Sequence, residues 1–152
     1  MSEIPTDRVR SKAKGSFAVP VGAVLLFVCF FLPWVDREGF SGLEVSGDAV
    51  KAESTFQYLH LRVPHPLSYT RLLFLIPVLA LATLLVGITV GPGHPGRLAV
   101  RLSVFAWGAM LSVFFLFCGV RLGGELSYGF WGSLTGALYV CVGALLNVFR
   151  NE

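Results

Sequence analysis

The sequence predicts an all-α membrane protein, a four-transmembrane-helix bundle with a small β-containing outer loop between helices 1 and 2. Three observations lead there. Four stretches carry no charged residue: Phe17 to Val35, Leu72 to Gly96, Leu102 to Val120 and Leu126 to Phe149. Even the shortest covers roughly 28 Å as a helix, close to the hydrocarbon thickness of a bilayer. Of the 152 residues 55% are hydrophobic and only 14% charged, and the mean hydropathy is +0.72, so the apolar surface exceeds what a soluble core of this size can hide. Spans at about 17–35, 72–90, 102–120 and 127–149, a tail over 1–16 and an outer loop over 36–71 use up the chain as a single membrane domain. No length remains for a separate soluble catalytic domain.

Arg8, Arg10, Lys12 and Lys14 precede the first apolar run, as in a secretory signal. The run is longer than a signal's apolar region and ends in Pro33-Trp34-Val35-Asp36 rather than at a small-residue cleavage site, so it reads as a retained anchor. Pro20 suits the first turn of that helix, Pro33 its stop, and Trp34 the outer headgroup level. Tyr69 before the second span and Tyr128 and Trp131 at the start of the fourth suit the same level. Pro77 lies inside the second span and is expected to kink it. Gly91-Pro92-Gly93-His94-Pro95-Gly96 cannot continue a helix and makes the second and third spans an antiparallel hairpin.

Orientation follows from the basic residues of the short segments. One side holds Arg8, Arg10, Lys12, Lys14, Arg97, Arg101 and Arg150 against Glu3, Asp7 and Glu152, a net of +4. The other holds Arg37, Lys51, Arg62, Arg71 and Arg121 against Asp36, Glu38, Glu44, Asp48, Glu53 and Glu125, a net of −1. Both termini are therefore expected in the cytoplasm, with the spans in a bacterial inner (plasma) membrane. A short basic tail without interleaved aromatics gives no reason to expect nucleic acid as a partner. In the outer loop, the run Phe56 to Val63 is rich in strand formers, with Leu59, Leu61 and Val63 on one face and Tyr58, His60 and Arg62 on the other. Pro64 and Pro66 end that strand.

The element order, together with Leu32-Pro33-Trp34 at the end of the first span and Gly42-Leu43 in the loop, resembles the claudin and peripheral-myelin type of four-span protein. It is also similar to small bacterial four-span proteins with a Leu-Pro-Trp exit and a Ser-Gly-rich loop. The resemblance implies an architecture. The chain departs from the claudin pattern at Glu44, where that family has Trp, and in a loop without a cysteine pair.

Membrane helices associate by close packing, which small residues four apart permit. Gly132 and Gly136, and beside them Gly129, Ser133 and Ala137, form such stripes on the fourth span and are the candidate helix-packing interface. They serve either the bundle itself or a partner's helix. Phe27, Phe30, Phe31, Phe105, Phe114, Phe115 and Phe117 read as packing or lipid-facing residues. Trp34, Tyr58, His60 and His65 are the candidate contacts of the outer loop.

Cys29, Cys118 and Cys141 lie inside spans without a neighbouring base, and no Cys-x-x-Cys occurs. His60 and His65 share the loop with five acids, yet their spacing specifies no metal site, and His94 sits in the inner turn away from any helix-borne haem. No nucleophile with a base, no paired carboxylates and no phosphate loop is present, so neither catalytic residues nor a cofactor are expected. No span carries a buried charge of the kind that marks ion and proton paths. These features point to a non-enzymatic structural or accessory subunit whose partners are the lipid bilayer and other membrane protein subunits, or a homo-oligomer. The alternatives are a small oligomeric channel or transporter, and a pigment- or quinone-associated subunit of an electron-transfer complex.

Overall fold

The computed structural model describes residues 17–36, 39–59, 70–89 and 96–149. Among these the fold is helical, and no strand is present. Its six α-helices are α1 (Ala18–Phe30), α2 (Gly42–Gly47), α3 (Ala49–Tyr58), α4 (Leu75–Thr89), α5 (Arg97–Leu122) and α6 (Tyr128–Phe149). Short 3-10 turns at Arg71–Phe74 and Gly123–Glu125 lead into α4 and out of α5. The segment Arg97–Glu125 and α6 are long and apolar enough to cross a membrane; α1 and the segment that contains α4 are shorter apolar helices.

α1 and α6 form the central pair, running antiparallel with their backbones in close approach. α4 packs on α1, and α5 on α6. Gly108, Leu111, Ser112, Phe115 and Gly119 recur at three- and four-residue spacing, which gives α5 one buried stripe and leaves its other faces outward. Ile76, Ala80 and Thr83 do the same for α4. One core joins all four helices, from Ala23, Leu26 and Phe30 through Ile76, Leu111 and Phe115 to Phe130, Ala137 and Val140. The outward faces are apolar as well: Val24 and Phe27 on α1 and Phe31 just after it, Val78 and Leu81 on α4, Val113 and Phe117 on α5, and Val142 and Leu146 on α6 are exposed. A patch of that extent suits lipid rather than water.

The first helix stops earlier than the apolar run. α1 ends at Phe30, because Pro33 has no N–H to give and disfavours helical geometry at Leu32. The residues after it turn back into the protein. Pro33 pairs with Ser41, and Val35 with Leu126, as single antiparallel bridges. The Trp34 N–H donates to the Phe40 carbonyl at 2.7 Å, and the Ser127 N–H donates to the Trp34 carbonyl at 2.9 Å, so the exit segment ties both outer connections together.

Among its described residues the outer loop is a helical cap, which corrects the expected strand over Phe56 to Tyr58, the last turn of α3; residues 60–63 lie outside those described. Strand propensity at three positions loses to two strong helix starts. Ser41 and Glu44 make a reciprocal capping box, the Glu44 N–H donating to Ser41 Oγ at 3.2 Å and the Ser41 N–H to Glu44 Oε2 at 3.0 Å. Asp48 caps α3 by accepting from the Val50 N–H at 2.9 Å.

Pro77 produces no kink in mid-helix. It sits in the first turn of α4, and the chain before it tightens into the 3-10 turn Arg71–Phe74. Pro77 lacks the N–H that would reach Leu73 four residues back, so the α-ladder begins only beyond that point. The Gly-Pro turn at 91–95 and Tyr69 lie outside the described residues.

Candidate functional site

Two regions could carry function: the cap over one end of the bundle, and a groove at the end that bears both termini. In the cap, Lys51 Nζ lies 2.5 Å from Glu44 Oε1 and 5.4 Å from the centre of the Phe40 ring. The hydrogen bond from Lys51, helped by that from the Ser41 N–H, pulls the Glu44 carboxyl down to about 2. Both groups are partly exposed, where an ion pair adds little stability. Its consequence is geometric, since it joins α2 to α3. The Tyr58 hydroxyl donates to Glu125 Oε2 and so fastens α3 to the second outer connection.

Of the candidate loop contacts, Trp34 is not at the surface. It is only 6% exposed and its indole N–H donates to the Cys29 carbonyl at 2.9 Å, a carbonyl that also accepts from the Leu32 N–H at 3.2 Å. Tyr58 is half-buried and engaged with Glu125. His60 and His65 lie outside the described residues. Glu44 and Asp48, two of the acids near those histidines in sequence, are occupied by helix capping, and no cluster of three metal-ligating side chains occurs among the described residues.

The small-residue stripes lie inside the bundle. A Cβ at Gly136 would come within 2.9 Å of Gly22 O and Leu26 N, and one at Gly132 would collide with Cys29 Sγ. Gly129 faces the Leu32 and Pro33 carbonyls, and Ser133 and Ala137 are fully buried. On the neighbouring side of α6, Gly108 of α5 approaches Val140 and Cys141, where a Cβ would stand 3.1 to 3.3 Å away. Several hydroxyls of the bundle are committed locally. Thr83, Ser112, Ser133 and Thr135 each donate to the carbonyl four residues back at 2.8 to 2.9 Å. The three cysteines are free thiols, Cys29 buried and Cys118 and Cys141 half-buried.

The groove at the termini end encloses about 460 Å³ between α4 and α5, floored by the start of α1 and the end of α6. Phe17, Leu84, Val100 and Val104 supply apolar wall, while Thr83, Asn147, Arg97 and Arg101 supply polar groups. Arg101 Nη1 donates to the Asn147 carbonyl at 3.0 Å.

Comparison with protein-family models, with curated proteins and with solved structures gives no match.

Sequence reasoning passed over the groove, because Arg97 and Arg101 entered only as topology charges. Their four-residue spacing at the start of an apolar helix places both on one face, which was the available signal. It also passed over Tyr139 as a contact residue. This side chain stands beside Gly22 yet is 48% exposed, and its hydroxyl has no hydrogen-bond partner among the described residues.

Proposed function

We propose that this chain is a four-span integral membrane protein, both termini cytoplasmic, acting as a non-enzymatic accessory subunit that receives a partner protein's transmembrane helix on the outward face of α6. The observation that supports docking is Tyr139. It is the twelfth of the 22 residues of α6, so with α6 across a bilayer its Cα lies about 15 Å from either helix end, near the midplane. A tyrosine side chain cannot reach the headgroups from that depth. An unpaired hydroxyl in hydrocarbon is costly, and a partner helix offering a carbonyl or side-chain acceptor relieves the cost. Trp131, Thr135, Val142 and Leu146 continue the same outward face and would form the remainder of the contact. The local commitment of the Thr83, Ser103, Ser112, Ser133 and Thr135 hydroxyls favours this reading over a pore lined by them.

Native purification in mild detergent is expected to recover a second membrane protein in fixed stoichiometry. Tyr139→Phe should reduce that recovery by about three-fold, the scale of one interhelical hydrogen bond in a membrane. Recovery of the chain alone or only as a homo-oligomer, or a Tyr139→Phe variant that holds its partner as well as the parent, would sink the docking role. Topology has its own test. A cytoplasm-active reporter fused after Glu152 is expected to work and a periplasm-active one to stay silent, and the reverse pattern would invert the orientation.

A further inference from the structure

We propose that the groove between α4 and α5 is a headgroup site for an anionic phospholipid, with Arg97 and Arg101 holding the phosphodiester and an acyl chain lying along Leu84, Val100 and Val104. The inference goes beyond partner docking and rests on the membrane reading above.

Charge complementarity selects the occupant. Arg97 and Arg101 stand one turn apart on the same face of α5, like charges that repel one another unless an anion is shared between them. The acids among the described residues, Asp36, Glu44, Asp48, Glu53 and Glu125, belong to the outer connections at the opposite end of the bundle. Arg97 makes no hydrogen bond or ion pair among the described residues. Arg101 is anchored through one nitrogen to the Asn147 carbonyl, which leaves further N–H donors of its planar fork for phosphate oxygens. The N-terminal end of α5, with no side-chain cap, adds the positive end of its dipole at the same place.

Shape selects a lipid over a free anion. The cavity of about 460 Å³ exceeds the needs of one phosphate, and its walls are largely aliphatic and aromatic. α4 packs on α1 and α5 on α6, with little direct contact between α4 and α5, so an acyl chain can lie in the gap. A Cβ at Gly87, on the α4 side, would meet nothing within 4 Å. Basic pockets between membrane helices at a cytoplasmic interface suit anionic headgroups on these same grounds.

The test uses the full chain reconstituted in phosphatidylcholine nanodiscs doped with phosphatidylglycerol, with lipids retained after detergent extraction read by native mass spectrometry. The parent is expected to retain phosphatidylglycerol preferentially. Arg97→Gln should lower the retained ratio about five-fold and the Arg97→Gln/Arg101→Gln pair about thirty-fold, at roughly one surface-charge interaction per arginine. Arg97→Lys should keep most of the preference, and Arg121→Gln at the opposite end all of it. If the double variant fails to fold, Arg97→Gln alone decides, since its side chain holds no partner in the described structure. An unchanged ratio in Arg97→Gln overturns the site, and displacement of the lipid by inorganic phosphate overturns its identity. Tyr139→Phe should leave the ratio untouched, which separates failure here from failure of partner docking. A chain that does not enter the nanodisc defeats the four-span reading itself.

Discussion

Gly136→Leu is expected to prevent α1 and α6 from closing on each other and to destabilise the fold by about 3 kcal/mol or more, the upper range of overpacking. The atoms it would strike are backbone atoms, Gly22 O and Leu26 N, each 2.9 Å from the first carbon of the new side chain. A flexible side chain could swing aside, but a helix backbone moves only as a whole. Gly22 is locked reciprocally: a Cβ there would lie 2.6 Å from Gly136 O and 2.7 Å from Val140 N. Relief therefore requires the two helices to separate along the seam that Gly129, Gly132, Gly136 and Gly143 maintain. In a bilayer no hydrophobic force pulls them back, because lipid tails are as apolar as the faces exposed, and only the close-range dispersion contacts are at stake. Gly22→Ala is expected to cost less, about 1–3 kcal/mol. Leu138→Ile, on the outward face of α6, should change stability by less than about 0.5 kcal/mol. Denaturing-detergent titration followed by circular dichroism gives the readout. A Gly136→Leu protein that unfolds at the parent's midpoint would remove the glycine seam from any account of this fold.

The seam and the four apolar helices were legible in the sequence because both rest on strictly local patterns, small residues four apart and long runs without charge. The ends of the elements were less so. The first apolar run continues to Val35, but the helix stops at Phe30: Pro33 is the local stop, and the part that is tertiary is Trp34, which folds inward to meet the Cys29 carbonyl. A tryptophan beside a span boundary ordinarily reads as an interfacial anchor, and nothing local distinguishes it from one that turns into the core. The cap was misread for a different reason. Phe56, Tyr58 and Val63 weighed toward a strand, while Ser41-Gly42-Leu43-Glu44 already had the spacing of a capping box and Asp48 preceded a run of helix formers. Start signals deserved more weight than propensity in a short extramembrane segment.

For the candidate sites the division is sharper. Arg97 and Arg101 were visible as a pair, but their cavity depends on α4 packing on α1 and α5 on α6 with a gap between them, an arrangement set by long-range packing. By sequence alone Tyr139 is one weak polar group among several in the apolar runs. Its separation from Thr83, Ser112, Ser133 and Thr135 comes from the local hydrogen bonds: those hydroxyls reach a carbonyl four residues back, whereas a phenol held away from the backbone by its ring does not.

Trp34→Ala is expected to destabilise the protein by about 3–5 kcal/mol, because it empties the place where every layer of the outer end meets. The indole packs edge-on against Phe30 of α1 at 5.8 Å, Phe115 of α5 at 5.6 Å and Phe130 of α6 at 6.0 Å, and Phe115 and Phe130 are themselves 5.1 Å apart. Such pairs add to plain burial, so the loss is shared by three helices at once. The cap feels it too, since Gly42 at the start of α2 rests on the Phe30 and Trp34 rings at a distance that leaves no room for a Cβ. Trp34→Phe separates the two roles of the residue. It keeps an aromatic ring in the cluster and removes only the indole donor, and Cys29 O retains the Leu32 N–H at 3.2 Å as a partner, so the expected cost is about 1 kcal/mol. If Trp34 were instead an interfacial anchor, the order would change. Alanine would cost little, phenylalanine almost nothing, and the midpoint of unfolding would depend on bilayer thickness rather than on what fills the centre of the aromatic cluster.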